Sequence, residues 1–303
     1  MRVLITGATG LIGKEVVRLC HTQNINVNYL TTTKSKLENQ KNYKGFYWNP
    51  YQNEIDEKCF MDVDAIIHLA GANIAKRWTE NYKKEIIKSR VEVTQFLFSS
   101  LREQNHNINQ IISASAIGIY PDSLTKYYEE SNIEFDNSFL SHVVQEWENS
   151  VDVFQSINLN VAKIRIGLVL SDRGGALPKV MQPIKFGLGT IFGNGDQWQS
   201  WIHIEDLAQL FLFVLKNHLK GVFNGVAPNP VTHKEFTKTI AKILNRRPIW
   251  LPNIPKIMMK LVLGDMHTLL YASQRVSSKK VENLGFNFKY HHLQTALEDL
   301  IKN

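Results

Sequence analysis

Gly7, Gly10 and Gly13 stand three residues apart in Thr6-Gly7-Ala8-Thr9-Gly10-Leu11-Ile12-Gly13. Before them runs a short apolar stretch, Arg2-Val3-Leu4-Ile5. After them, Leu11, Ile12, Val16, Val17 and Leu19 fall at helical spacing. Strand, glycine turn and helix, in that order, is the context in which such spacing predicts a cradle for a diphosphate. Gly7 turns the chain off the strand; Gly10 leaves bare backbone for a pyrophosphate, and Gly13 lets the helix pack closely on the sheet. The N–H groups of the first helical turn then face the anion, aided by the helix dipole. Thr9, Leu11 and Ile12 complete the expected contact loop. A second group lies in Ile111–Tyr120. Ser113 and Ser115, with Ala114 between them, stand near the carboxyl end of a predicted strand, where open α/β sheets bind ligands. Ser115 is expected to hold a substrate oxygen, with Ser113 as its rival. Tyr120 is the first candidate proton donor, ahead of His203 and Glu130. A third group, Gln197, Trp198, Ser200, Trp201 and His203, mixes polar groups with flat rings, as suits an apolar pocket with a few oriented hydrogen bonds.

The elements that must position these groups alternate. A second strand, Val27–Thr31, leads into Thr32-Thr33-Lys34-Ser35-Lys36, where a carboxylate would accept from a ribose 2′-hydroxyl. No acid appears before Glu38, whereas Lys34 and Lys36 suit a 2′-phosphate. NADP is therefore the preferred cofactor, with NAD as the alternative, and Thr32 and Lys34 are expected contacts. Gly45–Trp48 reads as a third strand. Val63–Ala72 reads as a buried parallel strand whose small end, Leu69-Ala70-Gly71, lets an adenosine lie against the backbone; His68 within it reads as a packed strand residue. A helix over Tyr82–Gln104, a strand from Ile111, a helix over Phe139–Phe154 and a strand over Val161–Leu170 follow. Strands alternating with helices over residues 1–170 predict an α/β fold: a Rossmann-type, doubly wound parallel sheet with a smaller C-terminal substrate-side lobe. The expected boundaries are a dinucleotide-binding domain at 1–175, to which segments around 200–230 return, and a lobe at 176–303. Within the lobe, a helical region spans about 248–298.

Composition is that of an ordinary globular protein, 44% hydrophobic and 21% charged. The formal charge of +7 is spread over scattered lysines with no basic block, so a nucleic-acid partner is not expected, while an anionic cofactor is. The two cysteines, Cys20 and Cys59, show no metal-ligand spacing and read as reduced thiols of a cytoplasmic protein. No apolar run is long enough to span a membrane, and the opening strand leaves no room for a signal peptide. Oligomeric state is left undetermined.

Several phrases are more telling than the glycines: His68-Leu69-Ala70-Gly71, Arg77-Trp78-Thr79, Ser89-Arg90, Ser113-Ala114-Ser115-Ala116-Ile117-Gly118, Trp147-Glu148, Arg165-Ile166-Gly167, Gly174-Gly175-Ala176-Leu177, Ser200-Trp201-Ile202-His203-Ile204-Glu205-Asp206, Ala227-Pro228-Asn229-Pro230-Val231 and Gly285-Phe286. In this order they resemble the bacterial "epimerase family protein" group, an atypical branch of the short-chain dehydrogenase/reductases with its own C-terminal domain. The resemblance implies an NAD(P)-dependent epimerase or oxidoreductase acting on a small, sugar-like substrate. A non-catalytic dinucleotide-binding regulator, linked to cell division, is the alternative. The resemblance also implies Arg90, Ser113, Ala114, Arg165 and Gly167 beside the cofactor, and Gly118 and Trp147 in the substrate pocket with Gln197, Ser200, Trp201 and His203. Typical superfamily members use a Tyr-x-x-x-Lys pair for proton transfer. Counting back from Glu148 puts Leu140 and Val144 at those positions, and neither can move a proton. Arg90 falls at the position of the upstream Asn, which sets it with Ser115 and Tyr120 as the catalytic candidates.

Overall fold

A computed structural model describes residues 1–250 and 254–302; residues 251–253, inside the C-terminal region expected to be helical, and residue 303 lie outside the described residues. The main strands are β1 (Arg2–Thr6), β2 (Asn26–Thr31), β3 (Tyr43–Asn49), β4 (Ala65–His68), β5 (Gln110–Ala116), β6 (Asn160–Ile166), β7 (Leu168–Leu170), β8 (Trp201–His203) and β9 (Gly221–Gly225). The main helices are α1 (Leu11–Thr22), α2 (Glu80–Arg102), α3 (Phe139–Asp152), α4 (Leu177–Lys185), α5 (Ile204–Lys216), α6 (His233–Ile243), α7 (Lys256–Leu263) and α8 (Leu293–Lys302).

The central sheet runs β9-β6-β5-β4-β1-β2-β3, every neighbouring pair parallel. Strand order reverses at β1, so right-handed crossovers leave it in both directions and cover both faces with helices. α1 packs beside α5, and α2 beside α3. A sheet covered on both faces needs continuous apolar strands. Val3, Leu4 and Ile5, then Ile66 and Ile67, then Ile111 and Ile112 meet that need, all without exposed surface. The carboxyl ends of β1 and β4 therefore flank the crevice where such sheets take ligands.

The single strand expected over Val161–Leu170 is two. β6 stays in the sheet, while β7 leaves it to pair with β8. The change of partner occurs at Gly167, where a Cβ would lie 2.2 Å from the Ser200 carbonyl oxygen. Gly167 N–H still donates to Gly225, whereas Leu168 N–H donates to Ser200. The apolar pattern runs through both strands unbroken, so it carries no trace of the switch.

Beyond residue 170 a second apolar cluster forms around Leu170, Leu177, Trp201, Phe236 and Leu297, roofed by α4, α6 and α8. α5 and β9 belong to the first layer, β9 as its edge strand. The C-terminal region is not purely helical: Arg275–Val276 pairs in parallel with Tyr127–Tyr128 and ties that region to the loop after β5. Among the described residues no helix is long and apolar enough to cross a membrane.

Candidate functional site

The glycine loop has little freedom. Gly7 has φ +71°, and a Cβ there would sit 2.9 Å from the Leu69 carbonyl. A Cβ at Gly13 would lie 2.2 Å from the Gly7 oxygen. Gly10 differs: it is exposed, and only the Gly7 oxygen lies near where a Cβ would project. It is also the N-cap of α1, which has no side-chain cap and no acid in its first turn. The N–H groups of Leu11, Ile12 and Gly13 have no acceptor within the helix. By contrast α2, α3 and α6 are capped by Thr79, Ser138 and Thr232. A closed turn with one open, side-chain-free face fits a diphosphate. Thr9 lies on the same turn, half-buried. Lys34 begins a 3₁₀ turn just past β2, beyond Thr32; both are exposed, and the Lys34 ammonium lies 4.8 Å over the Tyr47 ring.

Loop and cleft are joined by an ordered chain of hydrogen bonds. Thr6 Oγ1 accepts from the N–H groups of Leu69 and Ala70, so its own proton goes to His68 Nδ1, 2.8 Å away. His68 Nε2 must then carry the ring proton and donate to Thr94 Oγ1 at 3.0 Å, and Thr94 donates to the Arg90 carbonyl. Burial pushes the His68 pKa down to about 4, which keeps the ring neutral. Arg90 packs on Gly71, where a Cβ would meet its guanidinium carbon at 3.4 Å. It donates to the carbonyls of Ile86 and Ala72 and faces the Trp147 ring at 5.1 Å.

Arg90 opens onto a cleft of about 280 Å³ at the carboxyl ends of β5 and β6. Ala116, Ile117 and Gly118 line it from the β5 exit, and Leu140, Val143, Val144 and Trp147 from α3. Ile166–Leu168, Trp198–Ser200 and a C-terminal segment holding Leu269, Ala272 and Gln274 close it. Of the expected pocket residues, Gly118, Trp147 and Ser200 line the cleft, as do Arg90 and Gly167. Gln197, Trp201 and His203 do not. On β8, alternate residues face opposite sides. Ser200 therefore turns to the cleft, while Trp201 enters the second core and donates to the Asn229 carbonyl. His203 caps α5 by accepting from Glu205 N–H and stands 3.4 Å from the Asp299 carboxylate; burial, offset in part by that carboxylate, lowers its pKa. Gln197 spends its amide on the carbonyls of Phe192 and Leu270.

The same alternation corrects the catalytic candidates. Ala116 faces the cleft, so Ser115, next to it on β5, does not. Its hydroxyl donates to Glu148 at 2.6 Å in a buried setting. Ser113 is fully buried and bonded to the Ala114 carbonyl. Tyr120 has no exposed surface; its hydroxyl donates to Asn224 and accepts from Arg165. Burial raises its pKa against the pull of Arg165. Glu130 accepts from Asn224 N–H, and burial raises its pKa too. None of the three expected proton donors lines the cleft.

Glu148 and Arg165, on neighbouring elements, form a two-pronged ion pair at 2.8 and 2.9 Å. Burial alone would raise the Glu148 pKa, but the Arg165 hydrogen bond and charge, with Ser115, bring it below the ordinary value. Arg165 thus serves the β6–α3 junction, not the cleft. The sequence signal for this pair was available: an acid on a helix beside a tryptophan and an arginine in an apolar strand cannot both be buried unless paired. No comparable signal marks Leu269, Ala272 and Gln274, which reach the cleft only through tertiary folding. No group of three or more metal-ligating side chains occurs among the described residues.

Fold, glycine loop and crevice define a dinucleotide-binding protein of the Rossmann type. Residues 3–225 match the NAD dependent epimerase/dehydratase family, and residues 254–300 match a domain of unknown function, DUF1731. The chain belongs to the NAD dependent epimerase/dehydratase family. It is 37% identical over 301 residues to epimerase family protein SA0724 of Staphylococcus aureus strain N315, covering 99% of this chain and 98% of that one. Epimerase family protein SH2119 of Staphylococcus haemolyticus is 36% identical over 98% of each chain. The structure of human epimerase family protein SDR39U1 with NADPH superposes with a TM-score of 0.85 at 29% identity, over the whole of both chains. UDP-glucose 4-epimerase of Thermus thermophilus in complex with NAD gives a TM-score of 0.80 at 18% identity, covering 100% of this chain and 98% of that one, a likeness of fold. The resemblance read from the sequence phrases, and the fold class with it, are borne out.

Proposed function

We propose that this chain binds NADP through the α1 loop and acts as an oxidoreductase or epimerase on a small substrate held in the cleft beside Arg90. One observation carries the reading. An unbroken run of contacts leads from Gly7 through Leu69 and Gly71 to Arg90, which lines the cleft. Leu11, Ile12 and Gly13 would hold the diphosphate through main-chain N–H groups, and Lys34 and Lys36 would meet a 2′-phosphate. The human relative's NADPH supports that preference. A bound nicotinamide supplies a hydride donor or acceptor. Arg90 then holds a substrate oxygen and stabilises negative charge as it develops there. Apolar walls from Leu140, Val143 and Val144 exclude water and strengthen that interaction. Buried, reduced Cys20 and Cys59 suit a cytoplasmic setting.

A second reading, a dinucleotide-binding regulator with little turnover, is favoured by one feature. Among the described residues lining the cleft there is no Asp, Glu, His, Lys, Cys or Tyr. A missing positioned acid or base typically costs about 10²–10⁴-fold in rate. The deciding experiment is to titrate NADPH and NADH into the protein and into Lys34→Glu, then follow nicotinamide oxidation against a carbonyl panel. The proposal expects tighter binding of NADPH, lost in the variant, and slow turnover. Tighter NADH binding overturns the cofactor assignment; NADPH binding without hydride exchange on any substrate leaves the regulatory reading.

A further inference from the structure

Two residues that line the cleft carry polar groups left over by the fold. Trp147 is 7% exposed, and its Nε1–H has no hydrogen-bond partner. Three other indoles are satisfied: Trp78 donates to Ile74, Trp198 to Leu124 and Trp201 to Asn229. A buried donor left unpaired costs about 1–3 kcal/mol, so its persistence beside a cleft points to an acceptor that arrives with a ligand. The second group is Arg90. Its guanidinium has five N–H donors, and its bonds go to Ile86, Ser89 and Ala72, which leaves donors unspent. Every one of those partners is neutral. A cation held this way, and desolvated enough that its pKa falls to about 10, favours an incoming negative charge.

The two groups are neighbours, the guanidinium lying 5.1 Å from the Trp147 ring. Around them the cleft is apolar, with Ile117, Leu140, Val144, Ile166 and Leu269 on its walls. Its volume, about 280 Å³, falls just below the usual range of ligand sites, roughly 300 to 1,000 Å³. Arg90 is the sole charged side chain among the described residues that line it. A second diphosphate, of the kind a nucleotide-linked sugar carries, would find one cation where two phosphates need neutralising.

Building on the reading of this cleft as a substrate site, we propose that Trp147 Nε1–H and Arg90 together form its oxygen-binding end. The ligand they select is a compact, mainly apolar molecule with one anionic or carbonyl oxygen, not a nucleotide diphosphate-sugar.

The test uses full-length ¹⁵N-labelled protein saturated with NADP, with benzoate as probe and UDP-glucose as rival. NADP binding to the unlabelled wild type is measured first, by calorimetry. The indole resonance missing from the Trp147→Phe spectrum identifies Trp147. Benzoate is expected to move that resonance downfield in a saturable way. Trp147→Phe and Arg90→Gln are each expected to weaken benzoate at least tenfold, and UDP-glucose is expected to leave the resonance in place. The inference is overturned if NADP binds but benzoate leaves the Trp147 indole unmoved, if Trp147→Phe binds benzoate as well as the wild type, or if UDP-glucose binds more tightly. Failure of the wild type to bind NADP would instead remove the functional reading beneath it.

Discussion

A methyl group at Gly13 would lie 2.2 Å from the Gly7 oxygen, with the Ala8 Cα 2.7 Å away. Neither neighbour can yield without moving the turn, so Gly13→Ala is expected to destabilise by about 1–3 kcal/mol and to abolish dinucleotide binding, read by urea unfolding and calorimetry. The Glu148–Arg165 pair gives a second test at this scale. Removing Arg165 leaves the buried Glu148 carboxylate only the Ser115 hydroxyl and the Lys163 ammonium 3.8 Å away, so Arg165→Met is expected to cost about 3 kcal/mol, with partial recovery in Arg165→Met/Glu148→Gln. The sign of its pH dependence follows from the lowered Glu148 pKa. The pair's contribution is full above the ordinary value of 4.5 and is lost as pH falls through the lower folded-state value. Tyr120 shows how residue type misleads when direction is unknown. A tyrosine after two serines at a strand end suggests an acid, yet its hydroxyl is enclosed by Arg165 and Asn224.

Between elements, the cleft depends on a strap at residues 272–277. Ser200 Oγ donates to the Gln274 carbonyl and accepts from Val276 N–H, while Ser273 Oγ donates to the Ser123 carbonyl. Ser200→Ala leaves the Val276 N–H without its acceptor in a buried setting. Loss of about 1–3 kcal/mol is expected, with faster amide exchange over 272–277 as the local readout. Lys83–Asp265 spans the same lobes at the surface, where an ion pair is worth about 0–1 kcal/mol, so Lys83→Met should barely change stability. β1, β4 and β5 were legible because each holds an apolar run, at residues 3–5, 65–67 and 111–112, ahead of small residues or a glycine turn. The break at Gly167 was not, because Ile166 and Leu168 read alike on either side of it. The strap was not legible either: Ser273 and Gln274 carry no periodicity, and their bonds join residues 74 to 154 positions apart.

For the whole molecule, the proposed oxidoreductase or epimerase activity implies that pH acts on stability and on turnover in different ways. His68 is neutral in the fold, its pKa pushed down to about 4 from an ordinary 6.5. Between those values the unfolded chain binds more protons, so stability falls as pH drops from 6.5 toward 4. The loss is on the order of 3 kcal/mol, and His233, also held at about 4, adds to it. Unfolding by urea at a series of pH values checks this; His68→Asn should flatten the slope. Turnover should behave otherwise. With no side chain titrating near neutrality among those lining the cleft, kcat is expected to stay level between pH 6 and pH 9 within about twofold. A bell-shaped profile would point to a proton donor outside this cleft.

The order of apolar runs, the spacing of three glycines and the lysines after the second strand are local, and local pattern governs which segments become strands, helices and turns. Those features by themselves determined the fold class and predicted the diphosphate loop, and the ordered phrases from His68-Leu69-Ala70-Gly71 to Gly285-Phe286 carried the family. Which face a strand residue shows, and which distant segment closes over it, depends on pairing partners far along the chain. Only the tertiary structure therefore turned Ser115 toward Glu148 and Trp201 into the second core. It also brought Arg90, Trp147 and Gln274 around one cleft, because burial and hydrogen-bond satisfaction are settled between elements and not within them.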